Sequence, residues 1–181
     1  MSLITVKNLS KTFELTKKSE GFKAAFKSLF KSEKILKHAV KGVSFAIEEG
    51  EFVGFLGPNA AGKTTTLKML SGILYPSGGS AKILGYTPWE RKDAYKMQIA
   101  MVMGQKSQLW WDLPAIETFR LNQDIYEIEE NRFQKNLKTL VDMLDMGDTI
   151  NVPVRKLSLG QRMKCELVAA LLHDPKVIFL D

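Results

Sequence analysis

The stretch GPNAAGKT at residues 57–64 decides the fold, because its spacing G-x-x-x-x-G-K-[ST] lies between an apolar run and a helical pattern. Its two glycines let the backbone curl until several N–H groups face one point, and the following helix start adds its positive end. Such a loop predicts an anion cradle for phosphate groups. Lys63 would neutralise the outer phosphates, and the Thr64 hydroxyl would be available to a magnesium ion.

The chain around this loop alternates strand-like and helix-like stretches, which predicts an α/β fold with a largely parallel sheet. The apolar run Phe52–Leu56 is typical of a strand buried on both faces, and Ala81–Leu84, Ile99–Met103 and Val177–Leu180 have the same character. Further predicted strands are Leu3–Lys7 and Val43–Ile47, and predicted helices are Lys63–Leu70, Ala115–Tyr126, Arg132–Leu144 and Gln161–His173. The middle two helices follow one another without a strand between them. We therefore predict a sheet core at 1–105, a helical lobe at 106–157 and a return to the core at 158–181.

Composition favours a folded protein with one main domain, since the chain has 181 residues of which 45% are hydrophobic. The single cysteine, Cys165, excludes an internal disulfide, is typical of a small buried hydrophobe and fits a cytoplasmic setting. No run approaches the roughly 18 apolar residues that cross a bilayer, and the first residues show no signal-peptide pattern. Work at a membrane would therefore need a partner or a surface contact.

The positive charge is concentrated at residues 16–38, which hold seven lysines and two acidic residues. The rest of the chain is nearly neutral, which argues against nucleic-acid binding by the domain as a whole. Apolar residues recur at helical spacing between the lysines and predict a basic amphipathic helix: Phe22, Ala25, Phe26, Leu29 and Phe30. This segment could contact an anionic membrane surface, dock on a membrane partner or pack on its own domain, and the residues leave all three open.

A second signal is LSLGQ at residues 157–161. Ser158 and Gln161 have the spacing of a capping box, so a helix should start here, and Asp174-Pro175 should stop it. A serine hydroxyl and a glycine backbone at a helix start form a second potential phosphate-binding end, roughly 100 residues after the first. A nucleotide kinase would leave this stretch unexplained.

Together these features resemble the ABC ATPase family. GPNAAGKT is similar to its Walker A motif, LSLGQ to its signature motif and VIFLD at 177–181 to its Walker B motif, while Gln105 lies where the family has its Q-loop glutamine. The four occur in the family's order and span essentially the whole chain. The resemblance implies a P-loop NTPase (RecA-like) sheet core with an antiparallel β part and an inserted helical lobe, with the family's C-terminal part missing.

The resemblance also implies the residues that hold ATP and Mg²⁺. Lys63, Gln105 and Asp181 would be catalytic, and Thr64, Gln105 and Asp181 would serve the metal, Asp181 through water. Phe13 would stack on adenine, since stacking needs only a π face. The remaining nucleotide contacts would come from Gly57, Asn59, Ala60, Ala61, Gly62, Lys63, Thr64 and Thr65, and, toward the ATP of an opposite subunit, from Ser158, Gly160 and Gln161. Read without the family, Phe13 is equally a core aromatic, Gln105 a surface residue and Asp181 the end of a strand.

The implied function is that of the ATP-binding subunit of an ABC transporter, peripheral on the cytoplasmic side of the cell membrane. It would pair head to tail with a second ATP-binding subunit and drive integral membrane permease subunits by ATP hydrolysis. GQKSQLWWDLP at 104–114 and LSLGQRM at 157–163 resemble the multidrug- or viologen-type exporter branch. Trp110 and Trp111 would face a partner or pack between lobes. A soluble ABC ATPase acting on ribosomes or DNA and a non-hydrolysing nucleotide-binding module are the alternatives.

The sequence departs from the family pattern in three places. Ala60 stands where glycine is usual, and a positive φ there would strain the loop by roughly 1 kcal/mol. Leu159 replaces the middle glycine of the signature. The glutamate that follows the Walker B aspartate would be residue 182, so we expect residues 1–181 to bind ATP but hydrolyse it poorly. Neither His38 nor His173 matches the family's switch histidine.

Overall fold

The computed structural model describes residues 2–16, 34–104 and 107–181. It forms two compact units, Met1–Arg91 and Lys92–Asp181, each of which has its own internal contacts. The predicted division at residues 105 and 157 into a core, a lobe and a return segment stays a prediction. The apolar pattern of the predicted basic helix, residues 22–30, lies outside the described residues.

The first unit is built on an antiparallel sheet of three strands in the order β2-β1-β3. Its strands are β1, β2 and β3, at Ile4–Thr16, Lys34–Ile47 and Gly78–Ile83. β1 pairs along its length with β2, from Ile4 opposite Ile47 to Thr16 opposite Lys34. Alternate β1 side chains such as Ile4 and Val6 are buried, as expected for a sheet with one face packed.

The hairpin arms are much longer than the two strands that the sequence predicted. The additional residues of both arms mix polar side chains such as Lys11 and Lys37 with irregularly spaced apolar ones, of which Leu9 and Val40 are buried. Main-chain pairing with the opposite arm keeps both arms extended, and β-bulges interrupt the register near Leu9 and between Lys11 and Thr12. The last five residues of the basic segment, 34–38, therefore belong to β2.

The prediction of a buried strand at Phe52–Leu56 is wrong. These residues form no strand, and Phe52 and Leu56 are 95% and 96% exposed. A strand needs a neighbour for its main-chain hydrogen bonds, and no described residue pairs with this run. Only Phe55 is half-buried; its ring meets the edge of Phe45 at a centroid distance of 5.4 Å.

Helix α1, at Lys63–Leu70, follows the glycine-rich loop with the bounds that the sequence predicted. It buries Leu67, Met69 and Leu70 on one side. Arg91 fixes the chain beyond it, because its guanidinium donates to the carbonyl oxygens of Gly72 and Ile73 at 2.8 and 3.0 Å. The loop is thus attached to a helix that is anchored within its own unit.

The second unit combines a two-stranded parallel sheet with helices. Its elements are α2 at Asp93–Lys96, β4 at Ile99–Val102, α3 at Ala115–Ile125, α4 at Glu130–Met143, α5 at Leu159–Leu171 and β5 at Val177–Leu180. β4 and β5 pair in parallel, with Ile99 opposite Val177. In β5, Val177 and Phe179 are buried while Ile178 and Leu180 are exposed, so burial on both faces was wrong for this strand. The pair is the only parallel pairing among the described strands.

The core of the second unit lies where α3, α4 and α5 meet. Phe119 from α3, Phe133 from α4 and Val168 from α5 are almost fully buried in one apolar cluster. Cys165 lies in the same cluster and is a free thiol, as predicted, and its burial raises the pKa of that thiol to about 11. The signature helix α5 is therefore held by the helices that precede it in sequence.

Candidate functional site

The glycine-rich loop at residues 57–64, called the phosphate loop below, adopts left-handed backbone angles at two positions. Gly62 has φ +93°, and a Cβ added there would lie 2.4 Å from the carbonyl oxygen of Ala39, so only glycine fits without movement. Ala60, where the family usually has glycine, has φ +65°. The positive φ on which the expected strain depends is therefore present in the loop.

Lys63 is the first residue of α1, and its side chain folds back over the loop. The ammonium donates to the carbonyl oxygens of Gly57 and Pro58 at 2.7 and 2.9 Å. Gly62 is the N-cap of α1, and no side chain caps this helix start. The amides of the first turn and the lysine charge are thus concentrated around one exposed loop, which is the requirement for holding an anion.

A cleft of about 450 Å³ joins this loop to the β1–β2 hairpin. Ligand sites of small molecules commonly fall in this range of volume. Phe13, which the sequence predicted to stack on adenine, lines the cleft, and the Lys11 ammonium lies 5.2 Å from the centroid of its ring. The loop contributes Asn59, Ala60, Ala61, Gly62, Lys63, Thr64 and Thr65.

The opposite arm of the hairpin contributes residues that the sequence analysis did not include in the site. Lys37, His38 and Ala39 line the cleft, as does Leu15 on β1. Phe13 is paired with Lys37, and the Thr12 hydroxyl lies 3.0 Å from Nδ1 of His38. The hairpin register would have revealed Lys37, because the residue directly opposite Phe13 lies on the same face of the sheet.

The second predicted helix start lies in the other unit and has a different geometry. The Ser158 hydroxyl accepts the N–H of Gln161 at 3.2 Å, and the Gln161 side chain accepts the N–H of Ser158 at 2.9 Å. The predicted capping box is thus confirmed. Leu159 is exposed, and a Cβ added at Gly160 would meet no atom within 4 Å.

Asp181 follows β5 at its carboxyl end and is exposed. Its N–H donates to Val102 at 3.0 Å, and its carbonyl oxygen accepts the N–H of Gly104 at 3.1 Å, so the main chain continues the β4–β5 ladder. Gln105 lies outside the described residues. Phe13 and the phosphate loop belong to the first unit, whereas Ser158, Gly160, Gln161 and Asp181 belong to the second.

The family model described as ABC transporter matches residues 40–181, most of the chain. The chain belongs to the ABC transporter family. It is 33% identical over 152 residues to the ABC transporter ATP-binding protein NatA of Bacillus subtilis (strain 168). The aligned residues make up 84% of this chain and 62% of NatA. The chain thus spans less than two thirds of that relative's length.

Solved structures confirm the expected fold. An ATP-binding subunit of an ABC transporter superposes with a TM-score of 0.78 at 26% identity, covering 99% of this chain and 66% of that one. A dimeric post-hydrolysis ATP-binding cassette bound to ADP and Pi superposes with a TM-score of 0.75 at 24% identity, covering 98% and 73%. As an ABC family member the chain has the P-loop NTPase fold, with antiparallel and parallel sheets. None of its described helices is long and apolar enough to span a bilayer.

The side chains that the sequence analysis assigned to Mg²⁺ carry oxygen ligands, which this ion prefers. Thr64 is the second residue of α1 in the first unit, and Asp181 directly follows β5 in the second unit; both residues are exposed. Magnesium keeps several waters and substrate phosphates as ligands, so one or two protein oxygens suffice. The described residues contain no cluster of three or more His, Cys, Asp or Glu side chains, which a cage built from protein alone would require.

Proposed function

We propose that this chain is the ATP-binding subunit of an ABC transporter and binds Mg-ATP in the cleft between the phosphate loop and the β1–β2 hairpin. The observation that carries the proposal is the shared cleft, which places a lysine and an uncapped helix start beside an aromatic ring. The loop and Lys63 would hold the phosphates. Phe13 would stack on the base, the arrangement that a nucleotide requires because one end is anionic and the other is a π face.

Lys63 would exchange its present contacts for phosphate oxygens. Its ammonium now rests on two carbonyl oxygens, which are neutral acceptors, whereas a phosphate offers charged ones. The bound magnesium would supply charge neutralisation of the phosphates, with Thr64, Gln105 and Asp181 as the residues assigned to it. Hydrolysis of ATP by the full transporter, with these residues in place, is part of the proposal.

The second part of the proposal is a head-to-tail dimer of ATP-binding subunits. The exposed Gly160 leaves room at the start of α5 for a phosphate held by another subunit. A glycine within a helix lowers its stability by roughly 1 kcal/mol relative to alanine, so its presence where a Cβ would fit favours a role in close approach. The dimeric solved relative, with its ADP and Pi, is consistent with this arrangement.

The third part concerns membrane subunits. Trp110 and Trp111 are each 53% exposed, and the Arg162 guanidinium lies 5.1 Å from the ring centroid of Trp111. Adjacent exposed tryptophans are typical of protein interfaces. We infer that this pair contacts permease subunits and that the transporter is an exporter on the cytoplasmic side of the membrane. The signal for the exporter branch is the sequence at 104–114.

Equilibrium dialysis against Mg-ATP tests the nucleotide site. Lys63→Ala should weaken binding by roughly tenfold or more, because a hydrogen bond to a charged group contributes about 1.5–3 kcal/mol. Lys68→Ala is the matched control, since it removes the same charge from the same helix without lining the cleft. Absence of nucleotide binding by the folded wild type, or equal losses in the two variants, would refute the assignment.

A further inference from the structure

Glu166 is a buried carboxylate on α5 that the nucleotide contacts do not involve. Only 7% of its surface is exposed. Its oxygen atoms accept the Ser107 hydroxyl at 2.6 Å and the backbone N–H of Gln108 at 2.9 and 3.2 Å. Within the described part of the chain, its side-chain hydrogen-bond donors come from one short segment, residues 107–108, which follows β4.

The same segment is also tied to β4 and to itself. The Gln108 side-chain amide donates to the carbonyl oxygen of Met101 at 2.9 Å. The Ser107 oxygen accepts the N–H of Leu109 at 3.2 Å, which forms a tight local turn. The backbone at 107–109 is thus fixed between the end of β4 and the side of α5, and Glu166 provides the contact to α5.

A carboxylate at position 166 makes a contact that an apolar residue of similar size could not make. A buried carboxylate loses its hydration, and its hydrogen bonds here roughly offset that loss. An apolar side chain of similar size would fill the space in α5 but would leave the Gln108 amide without an acceptor. The carboxylate fixes the position of residues 107–108 relative to α5, because charge-assisted hydrogen bonds are short and directional.

The contact connects two motifs of this unit. Residue 107 lies two positions after Gln105, and α5 starts beside Ser158, about two helical turns before Glu166. A helix of this length behaves as a stiff rod, so a displacement of residues 107–108 is transmitted to the start of α5. We propose that Glu166 is a positioning residue that makes the segment after Gln105 and the signature motif move as one body.

The structural half of this proposal is that Glu166 fixes residues 107–108 to α5, and it does not depend on the proposed function. The functional half is that this contact couples two nucleotide sites, and it rests on the proposed ATP-driven dimer. In that dimer Gln105 would respond to the nucleotide of its own subunit and Ser158 would contact the nucleotide of the opposite subunit. Glu166 would then make the occupancy of one site alter the presentation of the signature motif to the other. Residues 107, 108 and 166 line no part of the nucleotide cleft, so nucleotide affinity itself should not depend on Glu166.

Backbone amide hydrogen exchange on the full chain without nucleotide tests the structural half. Glu166→Ala should accelerate exchange of the Gln108 amide by roughly tenfold, and Glu166→Gln, which keeps one acceptor oxygen, should give an intermediate rate. Cys165→Ala is the matched control, because it truncates the neighbouring buried residue of α5 and leaves the contact intact. Unchanged Gln108 exchange in Glu166→Ala would overturn the proposal.

Sedimentation velocity with a slowly hydrolysed ATP analogue and Mg²⁺ tests the functional half. Glu166→Ala should bind the analogue within about twofold of wild type by dialysis yet require roughly tenfold more protein to dimerise. Cys165→Ala should dimerise as wild type does when it is measured at the same interval below its own melting temperature as Glu166→Ala. Equal weakening in both variants would show a merely structural role and overturn the positioning role.

Failure of the proposed function and failure of the positioning role of Glu166 give different results. If the wild-type chain binds no nucleotide, the proposed function and the functional half fail together, while the Gln108 exchange rates still decide the structural half. If the wild type binds nucleotide and dimerises, and Glu166→Ala does the same at the same concentrations, the proposed function stands and the positioning role is refuted.

Discussion

Replacing Ala60 with glycine should stabilise the protein, although glycine substitutions usually destabilise. Ala60 has φ +65°, where the side chain of an L-residue costs roughly 1–2 kcal/mol. Glycine relieves that cost but gives the unfolded chain more freedom, which costs about 0.4–1 kcal/mol. The difference predicts a net gain of about 0.5–1 kcal/mol in the free energy of unfolding, or a rise in melting temperature of a few degrees.

Ala61→Gly is the matched control for this prediction. Ala61 is the next residue of the same loop, is also exposed and lines the same cleft, but it is not among the residues with positive φ. It has no strain to relieve, so the substitution should destabilise by about 0.4–1 kcal/mol. The two variants should therefore differ by roughly 1–2 kcal/mol, which is the strain at position 60 alone.

Urea denaturation followed by circular dichroism would measure both variants against wild type. The midpoints should move in opposite directions with equal slopes, because neither substitution changes the surface exposed on unfolding. If Ala60→Gly and Ala61→Gly lower the midpoint equally, the loop is unstrained at position 60 and the reasoning fails.

Three further substitutions separate fold from function. Gly62→Ala should destabilise by roughly 2–3 kcal/mol in urea denaturation, because its Cβ would lie 2.4 Å from the carbonyl oxygen of Ala39 at φ +93°; a smaller loss than Ala61→Gly gives would contradict this. Gly160→Ala should raise the free energy of unfolding by about 0.5–1 kcal/mol through helix propensity, yet weaken ATP-dependent dimerisation in sedimentation; unimpaired dimerisation would exclude close approach at this residue. Burial lowers the pKa of His173, whose ring stacks on Tyr126 at 3.8 Å, so the folded state binds fewer protons than the unfolded one and stability should fall as the pH drops below 6.5. His173→Phe should flatten that slope in thermal scans, and an unchanged slope would assign the pH dependence to other groups.

The sequence predicted best those elements whose ends are set by local chemistry. α1 begins directly after Gly62 because the left-handed glycine ends the loop, and its predicted bounds are confirmed. α5 starts beside Ser158 because Ser158 and Gln161 satisfy each other's backbone groups. Both signals lie within a few residues of the feature they specify, so no tertiary information is needed to read them.

Predictions that depend on distant neighbours were less successful. The apolar run 52–56 has the composition of a buried strand, but composition says nothing about which strand lies beside it, and in the structure none does among the described residues. Conversely, the outer arms of β1 and β2 have irregularly spaced apolar residues that predict no strand, and they are strands through mutual pairing. His38 was missed for the same reason, since only the hairpin register places it in the cleft beside Phe13.

The two helix starts differ in a way that predicts an order of events. The start of α1 has no side-chain cap and carries Lys63 at its first residue, so an anion there gains both amides and a full charge. The start of α5 is already occupied by its own capping box, in which Ser158 accepts the N–H of Gln161. An anion at α5 would therefore gain less from the same backbone geometry. We expect ATP to bind first and more tightly at α1, and the start of α5 to engage only a phosphate that another subunit has already fixed. Mg-ATP should then bind measurably below the dimerisation concentration and more tightly in the dimer, since a ligand that drives dimerisation must favour the dimer; a site that fills only upon dimerisation would contradict this order.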